Sequence, residues 1–338
     1  MSIEKLLGKG KKIVSIDFES IIKRLKNIGI VPVIKLENTS LACPLAEALL
    51  KGGIACAEIT FRAEGADKVI KDISKNYPDM LIGAGTVLSV EQADRAIDAG
   101  AKFLVAPGLN PNVVKHSLNK GIPFIPGISS ASEIELAFTL GLTYVKFFPA
   151  EQAGGLAYIK AISAPYGNIS FMPTGGINEN NISEYLLFEK VFACGGTWMV
   201  NPKLLEAQDF DAITAICKLA IDKILGFEFA HVGINCDSEN DALGVTNSLS
   251  NAFSFESKIG NSSIFCSDKI EVMKSPYLGK HGHLAIKTNS IDRALYHLKN
   301  KGFEADESTK KTDAKGNVVA IYLKDDIGGF AVHLLQKR

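Results

Sequence analysis

The sequence predicts a (β/α)8 barrel followed by a smaller α+β unit of two paired βαβββ-like halves. Three observations carry this. Through roughly the first 200 residues, eight short apolar or β-branched runs recur about every 20–25 residues, each of strand length and composition. Amphipathic stretches of helical period lie between them, and several close on a glycine. From Gly226 onward the chain resembles itself at a fixed offset, the mark of an internal repeat. A length of 338 residues suits two such units, given about 150 residues per domain.

The eight runs begin near Val31 (VPVIK), Ala55 (ACAEIT), Leu81 (LIGAG), Lys102 (KFLVAPG), Ile122 (IPFIPG), Thr143 (TYVKFF), Ile169 (ISFMPTGG) and Lys190 (KVFACGG). Helical period is read in Pro44–Lys51, Val90–Ala99, Pro111–Asn119 and Ser130–Leu140, with Gly52-Gly53, Gly100, Gly121 and Gly141 as the closing glycines. A doubly wound sheet is the competing layout, but it gives no reason for eight strands. A helix over Asp17–Ile28 would precede the first strand, and Asp209–Leu225 would be the last barrel helix. The barrel is thus expected over residues 1–225 and the second unit over 226–338. In that unit His231, Ile234, Ser238 and Ala242-Leu243 recur as His283, Ile286, Ser290 and Ala294-Leu295. Each copy reads strand, helix, then two or three strands, with a helix at Asp292–Lys301 and strands at Ala320–Leu323 and Phe330–Leu335.

Charge narrows the function. Lysine plus arginine and aspartate plus glutamate both number 37, so bulk attraction to nucleic acid or an anionic membrane is not expected. The longest apolar runs, such as Ile28–Ile34, are too short to span a bilayer. Met1-Ser2-Ile3-Glu4-Lys5 lacks the charged-then-apolar pattern of a secretion signal. None of the six cysteines forms a CxxC pair, which fits buried thiols of a reduced compartment. The expectation is a soluble cytoplasmic protein.

Barrel active sites gather at the C-terminal ends of the strands. Lys146 stands inside the sixth strand between Val145 and Phe147-Phe148. An apolar barrel disfavours its ammonium form, so its pKa should fall and its amine become nucleophilic. The plainer alternative is a lysine that snorkels outward or pairs with a carboxylate. Glu58 lies within the second strand, and the alternation of a strand puts Arg62 on the same face. Glu58 can shuttle protons beside an amine; the alternative is a Glu58–Arg62 ion pair with no chemistry. Arg62 can hold a substrate carboxylate. The seventh and eighth strands both end in Gly-Gly, at Gly175-Gly176 and Gly195-Gly196, where backbone N–H groups can cradle phosphate. Together these groups imply metal-free class I aldolase chemistry on a 2-keto acid. Two other readings stay open: a phosphosugar sensor on a non-catalytic barrel, and an isomerase using Glu58 as base. Lys35, ending the first strand, is the rival nucleophile.

Residues from about 20 to 225 closely resemble the 2-keto-3-deoxy-6-phosphogluconate (KDPG) / 2-keto-4-hydroxyglutarate (KHG) aldolases. The resemblance rests on VPVI (31–34), EITFR (58–62), GAGTVL (83–88), APGL (106–109), IPGIS (125–129), KFFPAE (146–151), PTGGI (173–177) and CGGTWMV (194–200). It implies that Lys146 is the Schiff-base lysine and Glu58 the general acid/base. It further implies that Arg62, Thr86, Pro107 and Thr174 surround the pyruvyl part, and that Gly175, Gly176, Gly195, Gly196 and Thr197 hold the phosphate. The implied activity is cleavage of KDPG to pyruvate and glyceraldehyde 3-phosphate, as in the Entner-Doudoroff route, or of KHG to pyruvate and glyoxylate. A cytoplasmic homotrimer without cofactor is implied as well. Ala63-Glu64 stands where many members carry threonine, and Thr197 where serine is common. Aldolases of the galactonate series share the scaffold.

The C-terminal repeat resembles the glyoxalase/vicinal-oxygen-chelate fold, whose metal ligands lie on the first and last strands of each half. Those positions hold His231, Glu271, His283 and His333, plausible ligands for zinc, nickel, iron or manganese. His333 stands where a glutamate is usual. The alternative is that these histidines only satisfy the core and the domain serves binding or assembly.

Overall fold

A computed structural model of the chain describes residues 18–337; Asp17, the expected first residue of the leading helix, lies outside them. The chain divides into two compact units, one ending at Ile224 and one beginning at Leu225.

In the first unit a leading helix α1 (Phe18–Ile28) precedes β1 (Ile30–Ile34), α2 (Ala42–Lys51), β2 (Cys56–Thr60), α3 (Ala66–Asn76), β3 (Leu81–Gly85) and α4 (Val90–Asp98). Then follow β4 (Phe103–Val105), α5 (Pro111–Asn119), β5 (Phe124–Ile125), β6 (Gly127–Ile128), α6 (Ala131–Thr139) and β7 (Tyr144–Phe147). The unit closes with α7 (Gly155–Ser163), β8 (Ser170–Pro173), α8 (Ile182–Leu187), β9 (Cys194–Gly196), α9 (Pro202–Glu206) and α10 (Phe210–Leu225). One parallel run has the order β5-β4-β3-β2-β1-β9 and another β6-β7-β8. β5 and β6 are one strand position interrupted at Pro126, which has no N–H for the ladder. Bridges from Phe171 to Val191 and from Thr174 to Gly195 join β8 to the β9 segment. Eight strand positions therefore close a (β/α)8 barrel, as the spacing predicts.

Why these segments become these elements is clear locally. Nearly all barrel strand residues are buried, as expected when helices cover one face and the barrel interior the other. Ser89, Asn110 and Ser130 cap α4, α5 and α6 through side chains that accept from Gln92, Asn112 and Glu133 backbone N–H groups. Phe103, Phe124, Phe147 and Phe171 are the largest of the fully buried side chains. Along β3, Gly83 and Gly85 share one face, and a Cβ on them would strike the Phe103 ring and the Glu58 carboxylate respectively. The glycines make room inside the barrel for those two side chains.

One site expectation needs correction. β2 ends at Thr60, so Arg62 is not a strand neighbour of Glu58 on a common face. The ladder's last bond, from Phe61 N–H to Gly85 O, is followed by a turn in which Ala63 N–H reaches Thr60 O. Glu58 is fully buried and Arg62 is exposed, so the ion pair considered between them does not form. The eighth strand is also shorter than the run from Lys190, since β9 begins only at Cys194.

The second unit is one eight-stranded sheet with two helices. Its elements are β10 (Glu228–Asn235), α11 (Glu239–Phe253), β11 (Ser257–Ile259), β12 (Ser263–Cys266) and β13 (Ile270–Met273), then β14 (Gly282–Thr288), α12 (Ile291–Lys299), β15 (Ala305–Thr312), β16 (Val318–Leu323) and β17 (Phe330–Gln336). Each half is βαβββ, and the sheet order is β11-β12-β13-β10-β14-β17-β16-β15. The two first strands, β10 and β14, meet antiparallel at the centre, and each pairs parallel with the last strand of its own half. Among the described residues no disulfide forms, and five of the six cysteines are buried.

Candidate functional site

A cavity of about 220 Å³ opens at the C-terminal ends of the barrel strands. It is lined by Glu58, Arg62, Thr86, Pro107, Lys146, Thr174, Gly175, Gly176, Gly195, Gly196 and Thr197, which brings together every residue that the resemblance to the aldolases gave a catalytic or substrate-binding role. Val33, Phe148 and Ile177 also line it and were not foreseen. Phe148 follows the lysine directly and places its ring centroid 5.5 Å from Lys146 Nζ. Lys35 lies elsewhere, half-exposed and paired with Glu37, so it is not a rival within this cavity.

β7 and β2 position the central pair from opposite parts of the barrel. Lys146 is 5 % exposed and donates to Glu58 Oε1 over 3.4 Å, a long and loose contact. Glu58 Oε2 is buried with no hydrogen-bond partner among the described residues. Burying an amine and a carboxyl with one weak contact and an unsatisfied oxygen is costly for a fold. Such an arrangement is ready to accept a ligand that completes it. Thr86 stands next to the pair at φ 56°, the left-handed region, where a β-branched residue is strained.

The Gly175-Gly176 turn has φ values of 98° and 79°. Its geometry is braced by Glu151, whose backbone N–H donates to Gly175 O at 3.1 Å. Glu151's Cβ and Cγ also fill the space where a Cβ on Gly176 would stand. The Glu151 carboxylate in turn accepts a short hydrogen bond from Tyr185, whose phenol burial pushes its pKa upward. Neither Glu151 nor Tyr185 was singled out from sequence; the AE that ends KFFPAE was the available signal for Glu151.

A second hollow of about 580 Å³ sits at the other end of the barrel, around Thr143, Tyr144 and the 167–170 segment. Of its two charged residues, Lys190 is committed to the carbonyls of Ser163 and Tyr166. Its greater size does not make it the active site, because no nucleophile and proton-transfer group converge there.

In the C-terminal unit His231, Glu271, His283 and His333 also converge. His231 Nε2 lies 3.1 Å from His283 Nε2, and Glu271 Oε2 lies 3.1 Å from each. Ring nitrogens of the three histidines all fall within 4.8 Å of one another. Metal–ligand bonds of about 2.0–2.1 Å place neighbouring donors roughly 2.9–3.4 Å apart, so the 3.1 Å separations among His231, His283 and Glu271 fit one cation, with His333 beside them. His333 Nε2 is buried without a hydrogen-bond partner among the described residues, which also fits; His283 Nδ1 is unpartnered too, but it is Nε2 of that ring that faces the cluster. Burial, aided by His283 and His231, lowers the His333 pKa to about 3. Burial alone would raise the Glu271 carboxyl, but hydrogen bonds from His231, His283 and Ser263 outweigh it and hold it below the usual range.

The closed barrel with a buried lysine and carboxylate at its mouth defines an enzyme of the lysine-dependent aldolase class. Comparison with known proteins gives the family. Residues 21–216 match the model of the "KDPG and KHG aldolase" family. A 2-dehydro-3-deoxy-phosphogluconate aldolase of Treponema pallidum is 50 % identical over 197 residues, covering 58 % of this chain and 94 % of that one. The KHG/KDPG aldolase of Escherichia coli is 42 % identical over 193 residues, covering 57 % and 91 %. Among solved structures, a KDPG aldolase of Legionella pneumophila is 37 % identical with a TM-score of 0.57, covering 59 % of this chain and 97 % of that one. That protein was captured with pyruvate as a covalent carbinolamine. A KDPG aldolase of Zymomonas mobilis, 36 % identical with a TM-score of 0.55 and coverage of 61 % and 95 %, was solved with 3-phosphoglycerate.

The chain belongs to the KDPG and KHG aldolase family. It is a carbon–carbon lyase of class I that acts on a small 2-keto acid through a Schiff base and needs no metal to do so, which sets the sensor and isomerase readings aside. No helix of the described residues is long and apolar enough to cross a membrane.

Proposed function

We propose that this chain cleaves KDPG to pyruvate and glyceraldehyde 3-phosphate, and KHG to pyruvate and glyoxylate, with Lys146 as the covalent nucleophile. The observation that carries the assignment of roles is the buried Lys146–Glu58 pair, 3.4 Å apart across the barrel. Lys146 Nζ adds to the C2 carbonyl to give a carbinolamine, which loses water to an iminium. Glu58 then takes the proton of the C4 hydroxyl while the C3–C4 bond breaks. The electron pair flows into the iminium as an enamine, and the aldehyde departs. Glu58 returns a proton to C3, and water releases pyruvate and free Lys146. Arg62, which has no ion-pair partner among the described residues, holds the substrate carboxylate with Thr86, Pro107 and Thr174 around the pyruvyl part. Gly175, Gly176, Gly195, Gly196 and Thr197 receive the phosphate through backbone N–H groups and a hydroxyl. The 3-phosphoglycerate of the Zymomonas mobilis relative supports a phosphate-bearing ligand.

The working form is proposed to be a cytoplasmic homotrimer. His231, Glu271, His283 and His333 are proposed to hold one divalent metal ion in a glyoxalase/vicinal-oxygen-chelate-like domain, apart from the aldolase reaction. Pyruvate release from KDPG and from KHG, followed by coupled reduction to lactate, tests the assignment. Both substrates should turn over in the parent and neither in Lys146→Ala; turnover that survives Lys146→Ala contradicts it. A parent that prefers the galactonate-series substrate would overturn the substrate reading and leave the chemistry.

A further inference from the structure

The two halves of the C-terminal unit correspond residue for residue through the pairing of β10 with β14. His231 stands opposite Ala285, and His283 stands opposite Gly233. Glu271, beside Gly233, therefore corresponds to His333, beside Ala285. One strand further out, Phe265 opposite Glu271 corresponds to Tyr322 opposite His333. Two residues before each aromatic, Ser263 corresponds to Ala320. The halves thus agree in backbone and in the two central histidines, and they differ at the outer donors and at the side chains that support them.

These differences are matched to each other. Ser263, buried, donates from Oγ to Glu271 Oε1 at 2.6 Å, while Glu271 Oε2 faces the two imidazoles. The other half has an imidazole in place of the carboxylate and an alanine in place of the serine, so no hydroxyl is retained where none is needed. Instead the Tyr322 ring lies parallel to His333, with centroids 4.6 Å apart and 13° between planes. His231 and His283 meet the His333 ring at 64° and 88°, so the imidazole is boxed on several sides. Phe265 only meets His231 edge-on and leaves Glu271 to the serine. Three nitrogen donors and a single carboxylate oxygen suit a borderline transition ion better than Mg2+ or Ca2+, which prefer oxygen.

We propose that Ser263 and Tyr322 are positioning residues of a centre for a borderline divalent transition ion, Ser263 presenting Glu271 through Oε2 alone and Tyr322 fixing the His333 ring. This rests on the metal reading of the cluster given above. Residues that orient metal ligands from behind typically change affinity by about 10–100-fold.

The test uses the full chain, stripped with chelator and titrated with Co2+, whose visible absorption reports donor number and geometry. The parent should bind one Co2+ per chain, and excess Mg2+ should not displace it. Ser263→Ala and Tyr322→Leu should each weaken binding about 10–100-fold and alter the spectrum. Ser263→Thr and Tyr322→Phe keep the hydroxyl and the ring, and should retain the parent's spectrum and affinity. Circular dichroism of the metal-free forms establishes that each variant is folded. No Co2+ uptake by the parent overturns the metal reading itself. Uptake by the parent with unchanged affinity and spectrum in both truncations leaves the metal site and overturns this proposal. If a truncation fails to fold, its conservative partner decides, and loss of the spectrum in a folded Ser263→Thr or Tyr322→Phe contradicts the roles assigned.

Discussion

Replacing Gly85 with alanine would put a methyl carbon 2.2 Å from Glu58 Oε1 and 2.7 Å from its Cδ and Cγ. Ordinary contact begins near 3.4 Å, so the carboxylate must withdraw by about 1 Å. The backbone at residue 85 lies outside the left-handed region, so alanine meets no conformational penalty there. The perturbation therefore falls on the proton-transfer group. A misplacement of about 1 Å costs roughly 10²-fold in rate, or about 2.7 kcal/mol of barrier. Overpacking of this kind costs about 1–3 kcal/mol of stability, which a thermal melt will register. Turnover of KDPG, read as pyruvate by coupled oxidation of NADH, gives the rate. Gly167→Ala, where a Cβ meets nothing within 4 Å, is the control and should match the parent. If folded Gly85→Ala turned over like the parent, the position of Glu58 would not matter and its assigned role would fall.

Three further outcomes are expected. Glu58→Gln should lower kcat by roughly 10²–10⁴-fold in the same assay, and an unchanged kcat would remove Glu58 from the chemistry. Tyr185→Phe releases the carboxylate of Glu151, the residue whose backbone N–H and Cβ/Cγ brace the Gly175-Gly176 turn, so KM should rise more for phosphorylated KDPG than for KHG; equal changes would deny the turn a part in phosphate binding. Chelation should leave aldolase turnover unchanged while lowering the melting temperature of metal-loaded protein, because an ion present at about 100 times its Kd contributes about 2.7 kcal/mol. Loss of turnover on chelation would contradict a metal-free reaction.

Much of the barrel was legible because its strands are buried on both faces and read as continuous apolar runs, separated by helices with glycine at their ends. The motif positions survive for the same reason, since they sit at strand ends. What failed was alternation carried past a strand's end. Phe61 and Arg62 continue the β-like run in sequence, but the ladder stops and the chain turns, so Arg62 reaches the cavity from a turn. The gap after Ile125 was hidden as well, because Pro126 still accepts from Lys146 N–H while interrupting its own strand. In the second unit the repeat marked the central strands, but β11 and β15 were not foreseen. Ser257–Ile259 is wholly exposed, and Ala305–Thr312 reads ADESTKKT, so neither edge strand has an apolar face to announce it. Of the four C-terminal ligand candidates, His231 and His283 match through the repeat, and the set follows from the resemblance to the glyoxalase/vicinal-oxygen-chelate fold; Ser263 and Tyr322 were missed because their significance lies in what each presses against.

Trapping the covalent intermediate tests the central claim most directly. The protein is incubated with pyruvate and sodium borohydride, digested, and searched for the reduced adduct by peptide mass spectrometry. The account predicts a pyruvyl adduct on the peptide carrying Lys146, absent from Lys146→Ala. An unmodified Lys146 peptide would contradict the Schiff-base mechanism, and an adduct on Lys35 would keep the chemistry while displacing the site.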